Sequence, residues 1–384
     1  VNFSKPLLIA AIGATFVGSV HAAPFTPGNV VIYRVGAGTS GLVNTGAPVF
    51  LDEYTASGSF VQSIAMPTLA SGANNPLIAS GVATSEGLFT RSEDGRYLLA
   101  TGYATTLGGT LSLSGTTGTA VPRVVGRVDV LGNVDTSTDL TDFASGNNPR
   151  SATSTNGTDL WVAGGAGGIR YTTLGASTST QLSTTVSNVR QVSVFDGQLY
   201  TSTGSGSTVR IGAVGTGVPT TAGQTITNLT AFPTGGSPYA YHFADLSTSV
   251  AGLDTLYVAD DGAAALTKYS LVSGSWTSNG TIGVDADDYR GLTGFTTAGG
   301  VQLFATRKGG SVAAGGGELV ALLDASGYNG SFSGTPTLLA TAATNTAFRG
   351  IALAPVPEPS TYALMAAGLA LVALGARRRR ARRV

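Results

Sequence analysis

One strand pattern returns about every fifty residues, and nothing else in the chain restricts its fold as much. A short apolar segment comes first, a polar turn follows, and a second apolar segment answers it. Pro149-Arg-Ser-Ala-Thr-Ser154 precedes Asp159-Leu-Trp-Val-Ala-Gly164. Val189-Arg-Gln-Val-Ser-Val-Phe195 precedes Gln198-Leu-Tyr-Thr-Ser202, and Tyr289-Arg-Gly-Leu-Thr-Gly-Phe295 precedes Val301-Gln-Leu-Phe-Ala-Thr306. Looser copies begin at Gly87 and Tyr239, and Phe348-Arg-Gly-Ile-Ala-Leu-Ala354 repeats the first half alone. Further strands follow in each unit, as at 255–259, 265–272 and 275–282. Four short strands per repeat, at a period near fifty, predict the blades of a β-propeller.

The units start near residues 87, 150, 189, 238, 289 and 348. The last has one strand and no successors. The N-terminal region has strands at 30–35, 49–54 and 60–66 with no first strand before them. Joining the two ends completes one blade and removes the open edge of the ring. The expected fold is therefore all-β, a propeller of six blades over residues 23–355. A seventh blade follows if the long 87–148 unit hides an extra strand pair. A β-sandwich or β-helix is the competing all-β architecture. Segments 103–121, 212–224 and 307–317 are rich in Gly, Ser, Thr and Ala and read as projecting loops.

Composition narrows the chemistry. The chain has no cysteine, so neither disulfides nor thiolates contribute. His21 and His242 are the only histidines, which excludes a histidine-based zinc site. His242, between Tyr241 and Phe243, reads as a packing residue. Asp285, Asp287 and Asp288 form an oxygen-rich cluster, candidate Ca²⁺ ligands, although turns select aspartate unaided. No other cofactor is indicated. Arg150, Arg190, Arg290 and Arg349 recur at the starts of first strands and would gather at one mouth of the ring. They read first as structural, bonding carbonyls of neighbouring blades, and second as a funnel for an anionic ligand. Gly164–Gly168 lacks the βαβ context of a dinucleotide loop.

The two ends of the chain carry addresses. Lys5, the apolar run from Leu7 to Val20, and Val20-His21-Ala22 read as a signal peptide over residues 1–22, cut between Ala22 and Ala23. At the other end, residues 356–384 hold three parts in order. Pro357-Glu358-Pro359 is followed by an uncharged stretch from Thr361 to Ala376, and then by Arg377, Arg378, Arg379, Arg380, Arg382 and Arg383. As a helix the stretch spans roughly 24 Å at ~1.5 Å per residue. That is short of a hydrocarbon core of about 30 Å, and snorkelling arginine stems can meet the deficit. Lys5, Glu358 and these six arginines set aside, 14 basic and 20 acidic residues remain, so the middle of the chain is near −6 and is no partner for nucleic acid.

The C-terminal pattern resembles the PEP-CTERM sorting signal of Gram-negative bacteria. The resemblance implies an exported protein, held in the inner membrane by a transmembrane helix over 361–376 with its arginines cytoplasmic. An exosortase-type membrane enzyme would then process it, in cells that make exopolysaccharide or biofilm. On this reading the domain is a binding or scaffold module and no enzyme, with an exopolysaccharide or surface protein as partner. The alternative is a secreted carbohydrate-active hydrolase using carboxylates at the propeller mouth.

Overall fold

The computed structural model describes residues 23–109 and 111–358. The signal segment, Pro359, the 361–376 stretch and the terminal arginines lie outside them. Among the described residues there is no α-helix. One 3₁₀ turn, Leu113–Gly115, interrupts an otherwise all-β, propeller-like arrangement.

Four antiparallel sheets of four strands stand separately, covering residues 149–181, 192–228, 238–282 and 291–341. The remaining strands form one ten-stranded sheet. Its order begins Gly315–Gly316, Thr346–Leu353, Val30–Val35, Gly46–Tyr54, and continues through Ile78–Ser80 to Tyr97–Tyr103, Arg123–Asp129 and Val134–Leu140. Phe60–Ala65 pairs beside Gly46–Tyr54, and Thr90–Arg91 beside Tyr97–Tyr103.

Six separate blades are thus replaced by four separate sheets and one large one. The cause is local. The connection after Phe60–Ala65 folds back, and Ile78–Ser80 fills the gap between two strand sets. Ala79 pairs with Ala47 on one side, and Ile78 with Tyr103 on the other. A short strand that would otherwise leave edges open satisfies them by bridging. The 87–148 unit supplies four strands, and no extra pair among the described residues. Within the expected 307–317 loop, Gly315–Gly316 instead pairs parallel with Thr346 and Ala347.

The ends meet as their patterns require. Thr346–Leu353 lies antiparallel to Val30–Val35, with Val30 opposite Leu353 and Val35 opposite Ala347. The C-terminal strand therefore completes a sheet begun by the N-terminal ones.

Strand alternation explains the unbroken apolar runs. In 159–164, Leu160 and Val162 pack toward Leu99, Val125 and Leu140, while Trp161 and Ala163 pack toward Val192, Val194 and Leu199. In 255–260, Leu256 and Val258 face Ile211 and Phe243, and Tyr257 and Ala259 face Leu292 and Leu303. Successive side chains point to opposite faces, and both faces are covered by a neighbouring sheet. The core is accordingly divided into layers between sheets, with no single centre.

Candidate functional site: the channel between first strands

The first strands of five units enclose a cavity of about 250 Å³. It is lined by Phe89–Glu93, Gln191, Ser193–Asp196, Tyr241, His242, Leu292–Gly294 and Ile351–Leu353. Each set follows the unit's leading residue along the strand. The arginines therefore sit at one end of the channel, and the turns after the first strands at the other.

Two carboxylates stand at the turn end. Asp196 and Gly197 join Val192–Phe195 to Gln198–Ser202, with Phe195 opposite Gln198. Both turn residues have positive φ, 48° and 69°, as a two-residue type I′ hairpin requires. Glu93 follows Thr90–Arg91 in another unit, and its Oε1 accepts the Gly197 amide at 2.6 Å. Its own amide donates to the Ser154 carbonyl at 2.9 Å. The Glu93 carboxylate is thus held at the amide directly after Asp196, although 103 positions separate the two acids in the chain. Counted along the strands, Glu93 and Asp196 occupy equivalent places in their units.

His242 lies deeper. Burial, and then the nearby Arg91 charge, push its imidazole down to about 4, so the ring is neutral at neutral pH. Phe195 meets it edge-on, with ring centroids 5.9 Å apart. Gly294 leaves room for it: a Cβ there would stand 3.1 Å from His242 Cδ2. Arg91 Nη1 donates to the Ala354 carbonyl at 3.1 Å. Gln191 Nε2 donates to Ser193 Oγ at 3.0 Å. The wall thus combines carboxylates, a neutral imidazole, a guanidinium, an amide and hydroxyls around an apolar base, which suits a small polar ligand.

The four recurrent arginines do gather at the opposite end. Arg150 Nη1 donates to Asn188 Oδ1 at 2.6 Å and to the Val189 carbonyl at 3.0 Å. Arg190 Nη1 donates to the Ser237 carbonyl at 2.7 Å. Arg290 Nη2 pairs with Asp261 at 3.0 Å. Arg349 donates to the Gly310 and Gly81 carbonyls at 3.1 and 3.0 Å. Tyr239 takes the equivalent place in its unit and is flanked by Arg190 and Arg290 guanidiniums at 3.7 and 4.9 Å. Burial, then mutual repulsion with Arg190, pushes Arg150 down to about 10. Arg349 is also pushed to about 10, mainly by burial. Glu86 is enclosed among these groups. Burial raises its carboxyl, against bonds from Tyr103, Asn148 and Ser80. Arg150 Nε, Arg290 Nη1 and Arg349 Nε are closed in without a partner. These arginines act here as ties to loops and neighbouring units.

The acidic cluster does not converge. Asp287 is buried, pairs with Arg307 at 2.9 Å and accepts the Val284 amide at 3.1 Å. Asp288 occupies a left-handed turn position, φ 44°, and Asp285 is exposed. Among the described residues, no three acidic or histidine side chains are grouped to hold a metal. Pro357 is half-buried, and Glu358 and Ala23 are exposed; Ala22, Pro359 and the arginines from Arg377 to Arg383 fall outside the described residues.

Sheets of four antiparallel strands packed face to face around a channel define an all-β, propeller-like domain. Joined to it is a sorting address: residues 355–380 match the PEP-CTERM protein-sorting motif, which marks an exported protein held transiently in the membrane and processed by an exosortase-type enzyme. No curated protein sequence matches the chain. Solved structures share its shape at low identity. The periplasmic gluconolactonase of Pseudomonas aeruginosa is 13% identical over 85% of this chain and 100% of its own, with a TM-score of 0.45. The soluble aldose sugar dehydrogenase of Escherichia coli is 12% identical over 76% and 97%, at 0.45. A chain of a nidogen/laminin complex is 11% identical over 85% and 98%, at 0.46. Such likeness carries no residue role to this chain. One expectation is corrected: the reading of the domain as no enzyme is withdrawn, because the channel gathers titratable groups that a sparse histidine and cysteine count concealed.

Proposed function

We propose that this protein is an exported propeller of six units whose channel hydrolyses a small carbohydrate substrate. Six core layers support the count. Each lies between consecutive strand sets, including one between Val31–Leu51 and Leu98–Val128 inside the ten-stranded sheet. On this count the ten-stranded sheet is two blades bridged by Ile78–Ser80. The sorting motif, with cleavage after Ala22, would place the domain where extracellular glycans are the available sugars.

One observation carries the activity: Glu93 and Asp196 are brought from different units to one mouth of a polar cavity. In the reaction, one carboxylate takes a proton from water as the water oxygen bonds to the anomeric carbon. The other carboxyl group acts as the acid, giving a proton to the leaving oxygen as the old C–O bond breaks. His242, neutral, would accept a hydrogen bond from a substrate hydroxyl, and Arg91 would orient electronegative groups.

The test is hydrolysis of a panel of aryl glycosides by the full-length protein, with Glu93→Gln and Asp196→Asn. Each variant is expected to lose roughly 100-fold or more in kcat/KM, the scale of acid–base catalysis, with an unchanged melting temperature. Wild-type inactivity across the panel, or activity indifferent to both substitutions, would refute the proposal.

A further inference from the structure

The chain leaves the domain at the cavity end, and the exit is fastened. Ala354 donates its amide to the Asn29 carbonyl at 2.9 Å, and its own carbonyl receives Arg91. Val356 donates to the Gly95 carbonyl at 2.9 Å. Glu358, the centre of the sorting motif, pairs with Arg96. Arg96 is set in turn by Asp94, whose Oδ2 lies 2.6 Å from its Nε. Apart from Asn29, these partners lie between Arg91 and Arg96, at the end of Thr90–Arg91 and in the turn that follows it. The same stretch supplies Arg91, Ser92 and Glu93 to the cavity wall.

We infer that this turn is a docking surface for the chain's own residues 356–358, and that docking holds the cavity mouth toward the membrane until the tail is removed. The reach is short. Thr361, where the apolar stretch begins, is three positions beyond Glu358, a span of at most about 11 Å. A domain tens of ångströms wide on such a tether must present its exit face to the lipid. The arginine end points away. Tail removal frees the face that carries Glu93 and Asp196. The consequence for substrate access rests on the proposed hydrolase; the orientation does not.

A cysteine-free chain makes the orientation directly measurable. Ala298 lies exposed in the turn after Gly291–Thr297, at the cavity end. Ser205 lies exposed beside Gly204, whose Cβ direction points at the Arg190 guanidinium, at the arginine end. Full-length Ala298→Cys and Ser205→Cys proteins, with the native tether, are placed in phosphatidylcholine–phosphatidylglycerol vesicles, and the same variants ending at Ser360, mixed with the same vesicles, serve as the cut form. Uncut and cut forms are labelled with a bulky, impermeant maleimide. Ala298→Cys is expected to label at least tenfold faster once cut, with Ser205→Cys unchanged. Equal rates at Ala298→Cys in the uncut and cut forms overturn the orientation, as does equal protection of Ser205→Cys. Adding Arg96→Ala to Ala298→Cys should raise labelling in uncut vesicles two- to fivefold; no change overturns the docking. Labelling requires no activity, so failure of the hydrolase reading leaves this test intact.

Discussion

Lys268 and Asp324 form a fully buried ion pair between two sheets, and removing one member should be severe. Both side chains have zero exposure, and Nζ lies 2.8 Å from Asp324 Oδ2. Nζ also donates to Ser326 Oγ and the Gly327 carbonyl, each at 2.6 Å. The carboxylate receives Tyr257 Oη at 2.7 Å and Ser326 Oγ at 2.7 Å. Lys268→Met leaves that carboxylate buried without its counter-charge, which costs about 3–5 kcal/mol. In a domain of this size each kcal/mol shifts Tm by about 2 °C, so a fall of roughly 6–10 °C is expected. Burial alone would raise the Asp324 carboxyl, but Lys268, then Ser326 and Tyr257, outweigh it and hold it below the usual range. The pair's stabilisation is therefore present above the unfolded value near pH 4 and lost as pH falls through the lower folded value. In Lys268→Met the loss should begin at higher pH. Lys268→Met/Asp324→Leu removes both charges and should recover much of the stability. Urea unfolding at neutral pH measures all three proteins. A loss below about 1 kcal/mol in the single variant, or a double variant no more stable than the single, refutes the reasoning.

Two further outcomes follow from the channel and the ring. His242 is held near 4 against an ordinary 6.5, so below pH 6.5 the unfolded chain takes up a proton that the folded one refuses. Stability should fall between about pH 6.5 and 4, by at most about 3 kcal/mol and less where cavity water screens the charge; His242→Gln should flatten that slope in melting curves. Gly350 donates its amide to the Gly87 carbonyl at 2.9 Å, where the closing strand meets the next unit, and a Cβ would strike that carbonyl and the Phe89 amide. Gly350→Ala should cost about 1–3 kcal/mol while Gly115→Ala, with open space around it, costs little; equal melting temperatures would sink the closure argument.

The strand pattern was legible because it repeats and because the inner strands of the units, such as Val30–Val35 and Thr255–Asp260, are buried on both faces. Expected strands at 30–35, 265–272 and 275–282 coincide with Val30–Val35, Ala265–Val272 and Ser275–Ile282. Ile78–Ser80 was not legible. Three residues carry no periodicity, and their pairing depends on a gap that exists only after the flanking strands are placed. The site was concealed for a related reason. Asp196-Gly197 and Glu93-Asp94-Gly95 read as turn chemistry, which they also are. Only a strand-by-strand alignment of the units puts both acids at one place after the first strand. His242, read as a packing residue, lines the cavity while still packing against Phe195.

The ring geometry links the two parts of the chain whose functions differ. First strands run in one direction around the channel, so every unit's leading residue falls at one end and every following turn at the other. The closing strand obeys the same rule. Arg349 stands at the arginine end, and the chain emerges five residues later beside Arg91. A sorting tail placed directly after a closing first strand must therefore leave from the turn end. With the 361–376 stretch in the membrane, the mouth bearing Glu93 and Asp196 would be the membrane-proximal one by topology, before any contact of Glu358 is counted. On the orientation proposed above, a detachable tail in this position would act on access to the channel as well as on location. Circular permutation that moved the chain ends to the exposed Gly274 turn, away from the closing strand, would separate the two effects.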